Sequence, residues 1–239
     1  MKRKLENVTL LGIDCVNLDR LIQAVEICQK DFDFASVKLL SSIKSDHKDV
    51  IYIDEIKSVE EYSRFAIAEL DKYVETSHVL IIQYDGFILN PKAWTDEFLQ
   101  YDYIGSPWLV DMKLSVKVFG FPEELVGKYV VGNGGFCLRS KKLTSLCAEL
   151  SSNNFFAKYH PEDVVLSVDS RKFLEEKGIT FAPPALAQRF SFEAESNTNY
   201  SWDGQFGFHG LRWTDISKWL KENPGYKIDN TMDRDKRKK

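Results

Sequence analysis

Four short apolar runs rich in β-branched residues stand in the first ninety residues: NVTLLGID (7–14), SVKLLSSI (36–43), VIYIDEI (50–56) and HVLIIQYD (78–85). Between them lie segments of helical period. NLDRLIQAVEICQKDF (17–32) repeats its apolar residues at Leu18, Leu21, Ile22, Val25 and Ile27, and SVEEYSRFAIAELDKYV (58–74) predicts a second helix. Asn17 and Ser58 precede these segments as N-caps, and Ser58 is followed by two glutamates at the positive end of the helix dipole. A chain that alternates strand and helix in this way is confined to an α/β layer architecture, with a mixed, mostly parallel central sheet, right-handed crossovers and flanking helices. HVLIIQYD is apolar enough to be buried on both faces, as the strands of such sheets are. Ligands of these sheets bind at the carboxyl ends of the strands. Gly12, Ile13, Asp14 and Cys15 therefore belong on one rim with Gln83, Tyr84, Asp85 and Gly86.

The 239 residues are long for one domain and short for two. We read residues 1–226 as one domain and 227–239, which end in RDKRKK, as a basic, loose tail able to touch an anionic membrane surface peripherally. A net charge of −4 argues against general nucleic-acid binding, because a polyanion would be repelled. The cysteines at 15, 28, 137 and 147 form no C-x-x-C pair and read as small apolar residues of a reducing compartment. The basic N-terminal residues precede only a short apolar run broken by Asp14, which supports neither a signal peptide nor an anchor. These features lead to an expectation of a cytoplasmic protein.

The second half is less regular. WTDEFLQYDYIGSPW predicts a short helix and then a strand, and VVGNGGFCLRS a strand interrupted by glycines. HPEDVVLSVDSRKFLEEKG predicts a helix opened by a proline and two acids, and FGFHGLRWTDISKWLKE a final helix. Four motifs can carry chemistry. Asp85, ending a buried strand, is either a turn residue or a hard oxygen ligand for Mg²⁺ or Mn²⁺. Asn133, Gly134 and Gly135 are either a bulge or a floor that lets backbone approach a sugar. Glu162 and Asp163 at a helix start either favour the dipole or supply a general base. His209 is either a metal ligand or a partly buried histidine satisfied by its neighbours. Trp108, Trp202 and Trp213 are either packing residues or a stacking platform for a sugar acceptor.

The pieces HVLIIQYDGFILNP, YDYIGSPW, VGNGGFCLRS, PEDVV and FGFHG, spanning residues 78 to 210, resemble in kind and order the metal-dependent nucleotide-sugar transferases of the GT-A type. The resemblance is closest to a glycosyltransferase-like family whose strand ends in Gln-x-Asp. It implies a hexosyltransferase-like enzyme of glycan biosynthesis that moves a sugar from a nucleotide-sugar donor, most simply a UDP-sugar, to a glycan or other hydroxyl acceptor. It also implies a bound Mn²⁺ or Mg²⁺ and, provided one of the two acids faces the β side of the sugar, inversion at the sugar carbon; with neither there, the route is a retaining one. Under it, Asp85 and His209 hold the metal, and Gln83 stands where the wider fold family has its first acid, which weakens the case for strict metal dependence. Asp163 resembles the catalytic base, with Glu162 the second candidate. Gly12, Ile13, Asp14, Cys15, Gln83, Tyr84 and Asp85 contact the donor, and Trp108, Asn133, Gly134 and Gly135 the sugar or acceptor. The alternative is a carbohydrate- or nucleotide-binding module that keeps the fold without turnover. A nucleotidyltransferase is disfavoured, because GIDCVNLDR lacks the lysine and glycines of a triphosphate loop.

Overall fold

The computed structural model describes residues 2–193 and 201–228, so most of the expected basic tail lies outside the described residues. The chain runs β1 (Arg3–Ile13), α1 (Leu18–Gln29), β2 (Phe32–Ser41), β3 (Val50–Tyr52), α2 (Val59–Ala68), β4 (His78–Ile82), β5 (Tyr103–Ile104), β6 (Pro107–Leu109), β7 (Tyr129–Val131) and β8 (Phe136–Ser140). It continues with α3 (Lys141–Ser152), α4 (Glu162–Val164), α5 (Arg171–Glu176), α6 (Pro184–Phe190), β9 (Ser191–Phe192), β10 (Gly207–Phe208) and α7 (Ser217–Glu222).

Six strands make the central sheet in the order β3-β2-β1-β4-β8-β5. The pairs β3/β2, β2/β1 and β1/β4 are parallel, whereas β8 runs antiparallel to both β4 and β5. This is the mixed, mostly parallel α/β sheet expected from the alternation of periods. Every residue of β4 is buried, which is why HVLII carries no alternating pattern. Gly12 lies opposite Ile82 in the β1/β4 ladder, so the ends of these two strands share one rim. β2 and β3 extend to one side of β1 and β4 to the other, so the chain changes direction between β1 and β4 and opens a crevice beyond their carboxyl ends.

Both predicted caps form: the Asn17 side chain accepts from the Arg20 amide and that of Ser58 from the Glu61 amide. Four expectations need correction. The final helix predicted across residues 206–222 is confined to α7, and its start forms β10 instead. The helix predicted to run to residue 74 ends at Ala68 and continues as a 3-10 turn over Leu70–Tyr73. The helix predicted from Pro161 is broken into α4, a π-helical turn over Val165–Asp169 and α5. VVGNGGFCLRS is not one interrupted strand, because β7 pairs with β6 in a separate ribbon while β8 enters the central sheet. Asn133 at φ 70° sits where the chain leaves one sheet for the other.

Phe32, Trp94, Phe98, Phe136, Phe190 and Phe206 meet in a network of tilted and edge-to-face contacts, so much of the aromatic content goes into the main core. A smaller cluster of Val110, Phe121, Val130 and Val164 underlies the β6/β7 ribbon. Two backbone segments touch where β5 leads into that ribbon: a Cβ at Gly105 would lie 1.9 Å from the carbonyl oxygen of Gly132. Backbone cannot swing aside as a side chain can. Gly105→Ala is therefore expected to cost on the order of 2 kcal/mol, measured as a lowered urea midpoint at unchanged m-value.

Candidate functional site

The crevice deepens into a cavity of about 460 Å³, walled by residues that are remote from one another in sequence. Gln83 comes from the end of β4, Gly134 and Gly135 from the turn before β8, Glu162 and Asp163 from α4, Glu193 from the end of β9 and His209 from the end of β10. Tyr62 of α2 and Trp108 of β6 also face it. The Gln83, Glu162, Asp163, Gly134, Gly135 and His209 chosen from sequence are thus brought together, and Trp108 joins them.

His209 is the hub. Its Nδ1 lies 2.9 Å from Glu193 Oε1 and 3.1 Å from Asn133 Nδ2, and its Nε2 lies 3.2 Å from Gln83 Oε1 and 3.7 Å from Asp85 Oδ1. Burial by itself would hold the imidazole neutral, but the carboxylates of Asp85, Glu193 and Asp163 outweigh it and lift its pKa to about 9. Burial likewise opposes ionisation of Glu193, but His209 and the Trp108 indole, whose N–H donates to Oε2 at 2.7 Å, hold it below its ordinary value. On the far side, the Tyr62 hydroxyl accepts from Gln83 Nε2 at 3.0 Å. That bond engages the NH₂ end of the amide while its oxygen faces His209.

Asp163 is held by backbone. Gly134 N donates to Oδ2 at 3.2 Å and Val164 N to Oδ1 at 2.8 Å. Burial, with the neighbouring Glu162 and Glu193, nevertheless pushes its pKa up to about 7. Glu162 differs, because its Oε1 sits 3.4 Å from NH2 of the fully buried Arg139, whose NH1 donates to Ala66 O at 3.2 Å. Among the described residues, Glu162 therefore has a resident guanidinium and Asp163 does not. The two glycines make room for these groups: a Cβ at Gly134 would meet Glu162 Oε1 at 1.7 Å, and one at Gly135 would meet His209 Nε2 at 2.1 Å.

Asp85 stands beside the cavity, not in its wall, with Oδ1 buried and without a hydrogen-bond partner among the described residues. Asn133 is buried and braces the turn, its Oδ1 accepting from the amides of Gly135 and Phe136. Of the other tryptophans, Trp213 lines the cavity, whereas Trp202 is buried elsewhere with its indole donating to Gln205 O. The residues at the end of β1 do not enter the cavity wall. Gly12 admits Leu21 of α1, Ile13 is buried, Cys15 is half-buried, and Asp14 accepts from the amides of Val16 and Asn17 and from Arg20 Nε at 2.6 Å. The Arg20 guanidinium in turn lies 3.7 Å from the centre of the Tyr84 ring, tying the two strand ends into one rim.

Glu193, Arg139 and Tyr62 were missed in sequence. Glu193 had a weak signal, an acid directly after the short apolar stretch FSF. Arg139 had a weaker one, a charge inside an apolar strand, and Tyr62 none. Among the described residues, no three His, Cys, Asp or Glu side chains converge to hold a metal ion, and no helix is long and apolar enough to cross a membrane.

The family profile described as "Protein of unknown function (DUF5672)" matches residues 47–209, which include the strand end at Gln83, the glycine turn, α4, Glu193 and His209. No curated protein matches the sequence. Among solved structures, the chain is similar to galactosyltransferase LgtC in complex with donor and acceptor sugar analogues, at 16% identity and a TM-score of 0.52, covering 90% of this chain and 93% of that one. A structure of LgtC carrying an active-site substitution matches at 12% identity and a TM-score of 0.50, covering 92% and 96%. At 13% identity and a TM-score of 0.44, the apo form of glycosyltransferase GlyE from Streptococcus pneumoniae covers 92% of this chain and is itself covered over 60%. The LgtC likenesses establish the fold.

Proposed function

We propose that this chain, which belongs to the DUF5672 family of unknown function, transfers a sugar from a nucleotide-sugar donor, in the first instance a UDP-sugar, to a hydroxyl of a glycan or related acceptor. The observation that carries the reading is the pairing of Asp163, a carboxyl raised to about 7 in the cavity wall, with the Gln83–His209–Glu193 array in the same crevice. A base is most useful when its pKa lies near the working pH. As the acceptor oxygen bonds to the anomeric carbon, Asp163 takes its proton, and the bond to the diphosphate breaks with the electron pair leaving on phosphate oxygen. Attack from the face opposite the leaving group inverts that carbon.

Asp85 and the amide oxygen of Gln83, with His209 once its Nε2 proton is displaced, would hold a divalent cation, Mn²⁺ or Mg²⁺. Asp85 Oδ1, which accepts no hydrogen bond among the described residues, and the carbonyl held toward His209 suit oxygen-preferring ions. When bound, the cation supplies positive charge against the diphosphate. Glu193 fixes the imidazole through Nδ1 so that Nε2 faces Asp85 and Gln83, and Tyr62 accepts from the Gln83 NH₂ group on the far side.

A second reading, a nucleotide- or carbohydrate-binding module without turnover, is favoured by one feature: Gln83 brings no charge where the wider fold family places an acid. A thermal-shift series of nucleoside diphosphates and nucleotide sugars, with and without Mn²⁺, separates ligand binding from its absence. At a hundredfold excess over Kd, a true ligand is expected to raise Tm by roughly 5 °C or more, and Asp85→Ala is expected to erase the Mn²⁺-dependent part. Failure of every nucleotide to shift Tm would sink the donor assignment. Release of nucleoside diphosphate in the presence of a hydroxyl acceptor then distinguishes the transferase from the module.

A further inference from the structure

The cavity has two chemically unlike parts. Gln83, Glu162, Asp163, Glu193 and His209 supply charge and hydrogen-bonding groups, whereas the stretch from β6 through residue 121 contributes Leu109, Leu114, Phe119 and Phe121. The polar side chains of that stretch that line the cavity are already engaged. Asp111 Oδ1 accepts from the amides of Lys113 and Leu114, Ser115 Oγ donates to Asp111 Oδ2 and accepts from the Asp111 amide, and the Trp108 indole is bound to Glu193. A sugar ring turned toward this wall would leave its hydroxyls without partners, at a desolvation cost for each. Phe119 is 39% exposed and Val118, its neighbour in sequence, 66%, so the apolar wall continues outward to the surface as a lip. Val164, next to Asp163 in sequence, packs under the same wall with Phe121.

Resting on the transferase reading above, we infer that the acceptor presents its reacting hydroxyl from a molecule with an apolar aglycone, the hydroxyl at Asp163 and the apolar group along Leu109, Leu114, Phe119 and Phe121. Alkyl and aryl groups share this chemistry. The open lip beyond Phe119 suits a chain that leaves the cavity, whereas a single ring would end inside it.

The test measures binding of methyl, octyl and phenyl β-galactosides and β-glucosides to the full chain by calorimetry, in the presence of saturating UDP and Mn²⁺ and again without them. The octyl glycosides are expected to bind at least roughly tenfold more tightly than their methyl partners, the gain from transferring several methylenes out of water. Phe119→Ser, at a side chain already partly in solvent, is expected to bring that ratio down to within about threefold of unity. An octyl gain well above the phenyl gain assigns an alkyl aglycone, and the reverse an aryl one; both support the inference. Equal affinity for methyl, octyl and phenyl glycosides overturns it, as does an octyl preference that survives Phe119→Ser. Absence of any UDP binding, with the octyl preference intact, would remove the transferase reading and leave the apolar subsite standing.

Discussion

Asp163→Asn is expected to lower kcat for transfer by about 10²–10⁴-fold while leaving nucleotide binding within a few-fold of the parent, because the amide keeps the shape of the carboxylate but cannot accept the acceptor's proton. The parent kcat/KM should rise with pH through about 7 as Asp163 deprotonates, and that limb should vanish from the residual activity of the variant. Stability supplies a readout independent of catalysis. A carboxyl whose folded pKa lies above its unfolded value binds its proton more tightly in the native state. It therefore favours folding below about pH 4 and takes that contribution away as pH rises toward 7. Asparagine carries no charge to desolvate. At pH 8 Asp163→Asn should be more stable than the parent by on the order of 2 kcal/mol, after about 1 kcal/mol is lost because one of the two backbone amides now faces an NH₂ group. At pH 4 the advantage should be gone. Urea titrations at the two pH values check this, and full transfer by the variant at the parent rate would remove Asp163 from the role of base.

Arg139→Met is expected to have the largest effect on folding, a loss of about 3–5 kcal/mol. Arg139 is 1% exposed, and its guanidinium pairs with Glu162 at 3.4 Å, donates to the carbonyl of Ala66 and lies 5.5 Å from the centre of the Tyr103 ring. Its removal strands the Glu162 carboxylate, itself 7% exposed, with no counter-charge. The double variant Arg139→Met/Glu162→Gln should recover most of the loss, because it removes the uncompensated charge as well as the partner. A double variant no more stable than Arg139→Met would mean that the cost comes from packing and the Ala66 carbonyl, not from the buried ion pair.

The parallel half of the fold was legible because its signals are local. The apolar runs that became β1, β2, β3 and β4 and the caps at Asn17 and Ser58 each follow from spacings within a few residues, and the rim shared by the ends of β1 and β4 follows from the layer architecture they imply. Where the sequence reading failed, the deciding contact lay far away. VVGNGGFCLRS divides between two sheets because β8 is claimed by β4, more than fifty residues earlier, while β7 is claimed by β6. The segment after Pro161 reads as one amphipathic helix. Its first turn is bound instead to the wall of the site, through Glu162 to Arg139 and through Asp163 to Gly134, and the helix divides beyond it.

The same division runs through the site. Asp85, His209, Glu162 and Asp163 were visible as acids and an imidazole at the ends of predicted elements, and GNGG as backbone that admits close approach. The resemblance ranked Asp163 ahead of Glu162 as candidate base, but the residues themselves did not separate the two. Glu162 and Asp163 are adjacent in the chain and chemically alike, so nothing in PEDVV separates a structural anion from a candidate base. Arg139, delivered from a strand of the central sheet, occupies the first, while the second is left among Glu162, Glu193 and the cavity, where burial and like charge hold it near neutrality. Glu193 became part of the site only when the short β9/β10 ladder set it 2.9 Å from His209. By itself the sequence determined the layer architecture, the strand ends that face the crevice and the residue types available there, because hydrophobic period and capping act over one or two turns. Only the tertiary structure decided which charges meet, since electrostatic partners and desolvation depend on distances between segments that the order of residues does not contain.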